Sequence, residues 1–274
     1  MLKVFAVVVG MVLSGCLFSG ESDSSAFKLK PGVYRSDYGV GGIAQQHESE
    51  LVLGANGDFR FFQINDTTPW IITQGKWSYQ NGMLIERSAV TRQAHYSYVF
   101  NEWQTVPLDT SFVRSLPDGF EHLEISQDTG YDFEVVRWVQ YHKVTPVPGL
   151  PYGHYQFSET YPDAYDSTHT HSGLYYLHLN PDSTYSDGRL EDGIPLWEFE
   201  SNHWFVSGSH LIVKGGRTRD WDDTGFTPWV PSDTDAEYVV HIRTVTPDSF
   251  QQWVPVDQSF QYYQHWITLR HMPN

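Results

Sequence analysis

The feature that most constrains this 274-residue chain is that its body is written twice. Trp70, Trp77, Leu84-Ile85 and Thr91-Arg92 recur 127 positions later as Trp197, Trp204, Leu211-Ile212 and Thr218-Arg219. Six of the 23 positions from 70 to 92 are identical in this ungapped window. Further out the offset drifts, as insertions would make it. Trp103 pairs with Trp229, each followed by a Pro and an Asp-Thr, and Trp138 pairs with Trp266. Pro31-Gly32-Val33-Tyr34 faces Tyr152-Gly153-His154-Tyr155. An ordered set of matches of this kind marks a duplicated unit.

Three prolines and a glycine in Thr145-Pro146-Val147-Pro148-Gly149-Leu150-Pro151 place the boundary. Proline removes backbone donors and ends strands, so 146–150 reads as a stiff linker. The repeats are 31–145 and 151–274, each long enough to bury its own core.

Each repeat reads as all-β. Leu51-Val52-Leu53, the turn Gly54-Ala55-Asn56-Gly57-Asp58 and Phe59-Arg60-Phe61-Phe62 form a strand, tight turn and strand. A second hairpin turns at Gln80-Asn81-Gly82, and its counterpart turns at Ser207-Gly208-Ser209. Aromatics make up 16% of the chain, which favours strands and supplies bulk for two cores. About eight strands per repeat, joined by hairpins, close naturally into an up-and-down barrel with no exposed sheet edge.

The chain opens with Met1-Leu2-Lys3 and an apolar run from Val4 to Val12, then Leu13-Ser14-Gly15-Cys16. The run is short for a membrane span and suits a signal peptide, residues 1–15. Its end resembles the lipobox of bacterial lipoproteins. That resemblance implies cleavage before Cys16, lipid on its thiol and delivery to the outer membrane. Residues 16–30 would then be the lipidated Cys16 and a flexible Ser- and acid-rich tether. As the chain's single cysteine, Cys16 also excludes an internal disulfide.

Gly75-Lys76-Trp77 with Asn81-Gly82-Met83-Leu84-Ile85, after Leu51-Val52-Leu53 and Asn56-Gly57-Asp58-Phe59, resembles small lipocalin-like domains of bacterial lipoproteins. The second copy reads Asn202-His203-Trp204 and Gly208-Ser209-His210-Leu211-Ile212. Gly-Val-Tyr and Gly-His-Tyr stand where a lipocalin has Gly-x-Trp. The resemblance implies two tandem lipocalin-like barrels that bind or present a small apolar ligand or a glycan. A barrel this small can also be filled by its own side chains.

A net charge of −16 repels phosphate backbones and argues against nucleic acid as a partner. No nucleophile elbow, phosphate loop or dinucleotide fingerprint is present, so no catalytic residue and no cofactor is assigned. Trp103 and Trp229, beside proline-containing loops, and Trp70 and Trp197 are the candidate ligand contacts; packing is the alternative for each. Seven residues apart, Trp70 and Trp77 fall on opposite strand faces unless Gly75 makes a bulge. His169-Thr170-His171 has the spacing of two ligands on one strand face, and Asp220-Trp221-Asp222-Asp223-Thr224-Gly225 partly matches a calcium loop. Both lack the remaining ligands, and no metal is assigned. Arg92 and Arg219 occupy equivalent strand ends. The expectation is a lipid-anchored, non-catalytic envelope protein that binds a small ligand or carbohydrate. A scaffold lipoprotein with filled barrels and a protein partner, and an enzyme acting on polysaccharide, are the alternatives.

Overall fold

A computed structural model describes residues 27–39, 46–65, 68–96, 99–100, 102–128, 133–163, 168–231, 237–254 and 265–273. Residues 1–15, read above as a signal peptide, and Cys16 lie outside them.

The first repeat contributes β1 (Gly32–Gly39), β2 (Gln46–Leu53), β3 (Asp58–Asn65), β4 (Thr68–Gln80) and β5 (Met83–Tyr96). Two short pieces follow, β6 (Val99–Phe100) and β7 (Gln104–Thr105), then β8 (Asp109–Leu116), β9 (Gly119–Asp128) and β10 (Phe133–Val144). Pairing is antiparallel in the order β4-β3-β2-β1-β10-β9-β8-β5, and β4 also pairs β5. Eight strands therefore close into an up-and-down barrel.

The second repeat runs β11 (Gly153–Pro162), β12 (Thr170–Leu179), β13 (Tyr185–Glu191), β14 (Ile194–Ser201), β15 (His203–Ser207), β16 (His210–Lys214) and β17 (Arg217–Asp222). It continues through β18 (Gly225–Phe226), β19 (Val230–Pro231), β20 (Glu237–Thr246), β21 (Ser249–Val254) and β22 (His265–Met272). The meander is the same, but its fourth and fifth strands are each broken: β14 pairs β17, and β15 pairs β16. The breaks fall at Asn202 and at Gly215-Gly216. In the first barrel the equivalent place is a bulge at Gly75, where the register shifts between Gln74 and Lys76. A Cβ on Gly75 would stand 2.8 Å from the Arg87 carbonyl oxygen, so only glycine fits that crossing. Opposite it Ser88 has φ 50°, and Gly215, its repeat partner, has φ 59°.

The duplication extends to single bonds. The Tyr34 hydroxyl donates to the Lys30 carbonyl at 2.7 Å, and Tyr155 does the same to Pro151 at 2.7 Å. Each ring meets a phenylalanine edge to face at 5.0 Å, Phe120 in one barrel and Phe250 in the other. The Val113 amide donates to Gly82, and Ile242 to Ser209, both at 2.8 Å. Trp77 and Trp204 are packing anchors of their hairpins: Trp77 lies against the first core and Trp204 is buried in the second. Alternation along each strand produces these cores, because every second side chain turns inward.

Each core also takes in residues that the sequence assigns to connecting segments. Leu29 is buried among Tyr34, Leu53 and Phe59, and Phe27 packs on Tyr79 at 5.7 Å. Leu150 is buried in the second core. In both repeats the chain just before the first strand thus adds side chains to the core.

A third cluster joins the barrels through their outer walls. Phe62 and Ile72 of the first are buried against Ile212 and Val239 of the second. Glu50, wholly buried, accepts from the Ser209 amide at 2.9 Å, the Ser209 hydroxyl at 2.5 Å and Arg35 Nε at 2.9 Å, and His210 Nδ1 lies 3.2 Å away. Burial alone would raise this carboxyl, but His210 and Ser209 hold it well below the usual carboxylate range. Gly208 has φ 61°, and a Cβ there would come within 2.0 Å of Glu50 Oε1. The close approach of the two walls therefore requires glycine at that turn.

Candidate functional site

Period-two alternation carries charge into the second barrel. Tyr185 and Leu179 point into the core, so Asp187 and Arg189, two and four residues beyond Tyr185, share the inward face of β13. Asp187 pairs with Leu177 on one side and Phe199 on the other, both buried. Its Oδ2 accepts from the Tyr175 hydroxyl at 2.6 Å and the Tyr185 hydroxyl at 3.0 Å. Its Oδ1 is buried and, among the described residues, has no hydrogen-bond partner. The same holds for Gln252 Oε1, which sits on β21 two residues from the core residue Phe250.

Burial pushes the Asp187 carboxyl up to about 7, against the pull of its two tyrosine bonds. Tyr175 and Tyr185 are pushed well above the ordinary phenol value by burial and by the Asp187 charge. Trp197 lies 6.3 Å from Tyr175, and Phe157 and Tyr238 complete an aromatic wall on the core side. Toward the end of the barrel, Arg189 donates to Glu159 at 3.3 Å and to the Tyr161 hydroxyl at 3.2 Å. Oδ2 accepts from both tyrosines, so the proton that Asp187 gains near neutral pH sits on Oδ1; with the Gln252 acceptor this suits a ligand whose polar groups both donate and accept and which has an apolar face. Hydroxyls on a sugar ring have that character.

The residues singled out in the sequence are dispersed. Of Trp103, Trp197 and Trp229, Trp197 borders this cluster. Trp103 packs at the junction of the barrels, with the Arg92 guanidinium 4.4 Å from its ring centre. Trp229 lies on the outer wall of the second barrel, 4.4 Å from Arg219 and 4.6 Å from Arg217. Trp138 and Trp266 carry the same device, with Arg114 at 3.4 Å and Arg243 at 3.8 Å. Trp70 belongs to β4, and its side chain lies outside the described residues. Cys16 lies outside them too.

His171 has both ring nitrogens committed, Nε2 to Asp163 at 2.9 Å and Nδ1 to Asp192 at 2.7 Å. Those bonds raise its pKa to about 9 and hold it as a cation on β12 that ties the chain just after β11 to the β13–β14 turn. Asp222 caps a hairpin tip, accepting from the Thr224 amide at 2.8 Å and hydroxyl at 2.6 Å. Among the described residues, no three His, Cys, Asp or Glu side chains are grouped as a metal site would need.

Asp187 was legible only in part. Tyr185-Ser186-Asp187-Gly188-Arg189 reads as a polar hairpin segment, and the one signal was an acid two places from an inward tyrosine.

No family model matches the chain, and no curated protein does. Among solved structures, it is similar to the Cpx pathway activator NlpE from Escherichia coli, at 13% identity over 77% of this chain and 95% of that one. The TM-score is 0.22, too low to carry an argument.

Proposed function

We propose that this chain is a lipid-anchored, non-catalytic protein of the bacterial cell envelope whose second barrel binds a neutral, hydroxyl-bearing small molecule such as a saccharide. Cys16 supplies the anchor in this reading, and the outer membrane is its place. The observation that carries the binding half is Asp187, a buried carboxyl with one oxygen held by two tyrosines and the other unpartnered. An isolated buried polar group costs about 1–3 kcal/mol, and a hydrogen-bond partner from a ligand relieves that cost. A fatty acid fits worse, because its carboxylate would face Asp187. Trp197 and Tyr175 offer the flat faces on which a sugar ring stacks.

The test is tryptophan-fluorescence titration with a panel of neutral mono- and disaccharides beside a fatty-acid panel. A saturable change with a saccharide, lost in Trp197→Phe and at least tenfold weaker in Asp187→Asn, is expected. If no saccharide titrates, or if Asp187→Asn binds as the wild type does, the proposal fails.

A further inference from the structure

Strand register brings three metal-ligating side chains side by side on the outer wall of the second barrel. Tyr155, Leu177 and Leu179 turn into the core, so alternation turns His154 on β11 and His178 on β12 outward. The two are direct register partners, and their ring centres lie 3.6 Å apart. On the other side of His154 its register partner is Met272 on β22. Leu269 points inward, so Met272, three residues on, shares the outer wall. Facing residues on antiparallel strands have Cβ atoms about 4.5–5.5 Å apart, so His178 and Met272 flank His154 closely enough for both to lean over it.

The duplication shows that the barrel wall does not itself require these residues. Val33, Val52 and Val144 hold the equivalent positions in the first barrel, in the same register. There Val33 is buried and Val52 packs against the junction. In the second barrel each valine is replaced by a side chain with a nitrogen or sulfur lone pair, and the row is open to solvent. His154 is exposed, His178 is half-buried and Met272 is 38% exposed.

The donor set narrows the ion. Imidazole suits late transition ions, and a thioether selects the soft ones among them. Calcium and magnesium need oxygen donors, and the row offers no free carboxylate. Beyond His178 the register continues to Ser186 and then to Glu200, whose Oε2 accepts from Arg217 at 2.7 and 3.0 Å. Burial, and then the His154 ring beside it, lower the pKa of His178, so that imidazole offers a lone pair at neutral pH.

We infer that His154, His178 and Met272 form a binding site on the outer wall of the second barrel for a soft d10 metal ion of the copper(I) class. The site lies outside the barrel, away from the lumen around Asp187, and does not depend on the saccharide reading.

The test is titration of the full chain carrying Cys16→Ser with silver(I) in chloride-free buffer. That substitution removes the single thiol, which would compete for the ion. Silver(I) shares the closed shell and ligand preference of copper(I) and keeps its oxidation state. Calorimetry should give one saturable site. In NMR spectra the Met272 methyl and the His154 and His178 ring signals should shift together, while the Met83 methyl stays. His154→Val, His178→Val and Met272→Val restore the first barrel's residues; each should weaken silver binding at least tenfold and keep a cooperative melt. His178→Gln takes the place of His178→Val should the latter melt without cooperativity. His169→Val, which changes an exposed histidine elsewhere on the barrel, should bind as the parent does. The inference is overturned by the lack of a saturable site, by binding that survives His154→Val combined with His178→Val, or by a Met272 methyl that does not move. Zinc(II) binding more tightly than silver(I) would overturn it too, because the thioether would then not be selecting the ion.

Discussion

Arg92 on β5 of the first barrel donates through Nη2 to Glu237 on β20 of the second, and both are almost wholly buried, at 3% and 5% exposed. Lys214 Nζ lies 3.0 Å from the other Glu237 oxygen, and Arg60 is 4.0 Å from it. Removing one member of a buried pair leaves the other charged in a dry place, at about 3–5 kcal/mol. The two deletions are therefore unequal. Glu237→Ala takes the acid from three cations and should cost that full amount in urea unfolding. Arg92→Ala leaves Glu237 with Lys214 and should cost clearly less. Equal losses would mean that water reaches the pair.

The two barrel cores share no member, while Phe62, Ile72, Ile212 and Val239 belong to both barrels jointly. Residues 27–146 and 150–274 should each give a β-type circular dichroism spectrum and a cooperative melt. Both should melt below the intact chain, because separation bares the junction and strips Glu50 of Ser209 and His210. If neither half folds, the cores depend on the junction.

Much of the fold could be read from spacing: the 127-residue offset and the glycine turns are visible in the sequence, and the bulge at Gly75 was one of two options there. The junction could not. Glu50, Arg60 and Arg92 look like ordinary solvated strand residues, since alternation turns them outward and nothing local says that a second barrel covers them. Trp103 was misleading for the same reason. A ring beside a proline loop suggests exposure, yet its partner Arg92 is drawn into the junction by Glu237. Asp187 was hidden because an inward acid looks like a register error until Tyr175 and Tyr185 are seen to hold it.

Hairpin anchors and wall tryptophans should part company in stability. Trp204→Ala empties a buried site and should cost about 3–5 kcal/mol. Trp229→Ala removes a half-exposed ring and should cost about 1 kcal/mol or less. Trp103→Ala should fall between them, since its ring backs Arg92 at the junction. Thermal melts of the three variants decide the order, and a Trp229→Ala loss as large as that of Trp204→Ala would make the outer wall part of the core.

In the proposed reading, anchoring at Cys16 is separable from folding. With Cys16 as the lipid site, Cys16→Ala should leave the protein without lipid label and out of the washed membrane pellet. A mutant that stays in the pellet and still takes up label would end the lipoprotein reading.

Stability against pH should carry two opposed slopes. His241, pushed down to about 3 by burial and then by the His210 and Arg35 charges, folds neutral. Its contribution is complete above the ordinary histidine value and is lost as pH falls from about 6.5 toward 3. Asp187 acts in the other direction. Burial raises it to about 7, so the folded state binds a proton that the unfolded chain releases near 4. Its contribution is complete below about 4 and is lost as pH rises through 7. Glu86, raised to about 7 by burial and then by the Asp109 charge, adds a slope of the same sign. Asp187→Asn removes one titration and leaves the others. The stability of Asp187→Asn relative to wild type should therefore climb between pH 4 and pH 7 by on the order of a few kcal/mol, then stay level. Urea unfolding at half-unit pH steps measures that difference directly. A difference that stays constant across the window would mean that Asp187 titrates as an exposed acid, which would remove the buried carboxyl on which the proposed binding site depends.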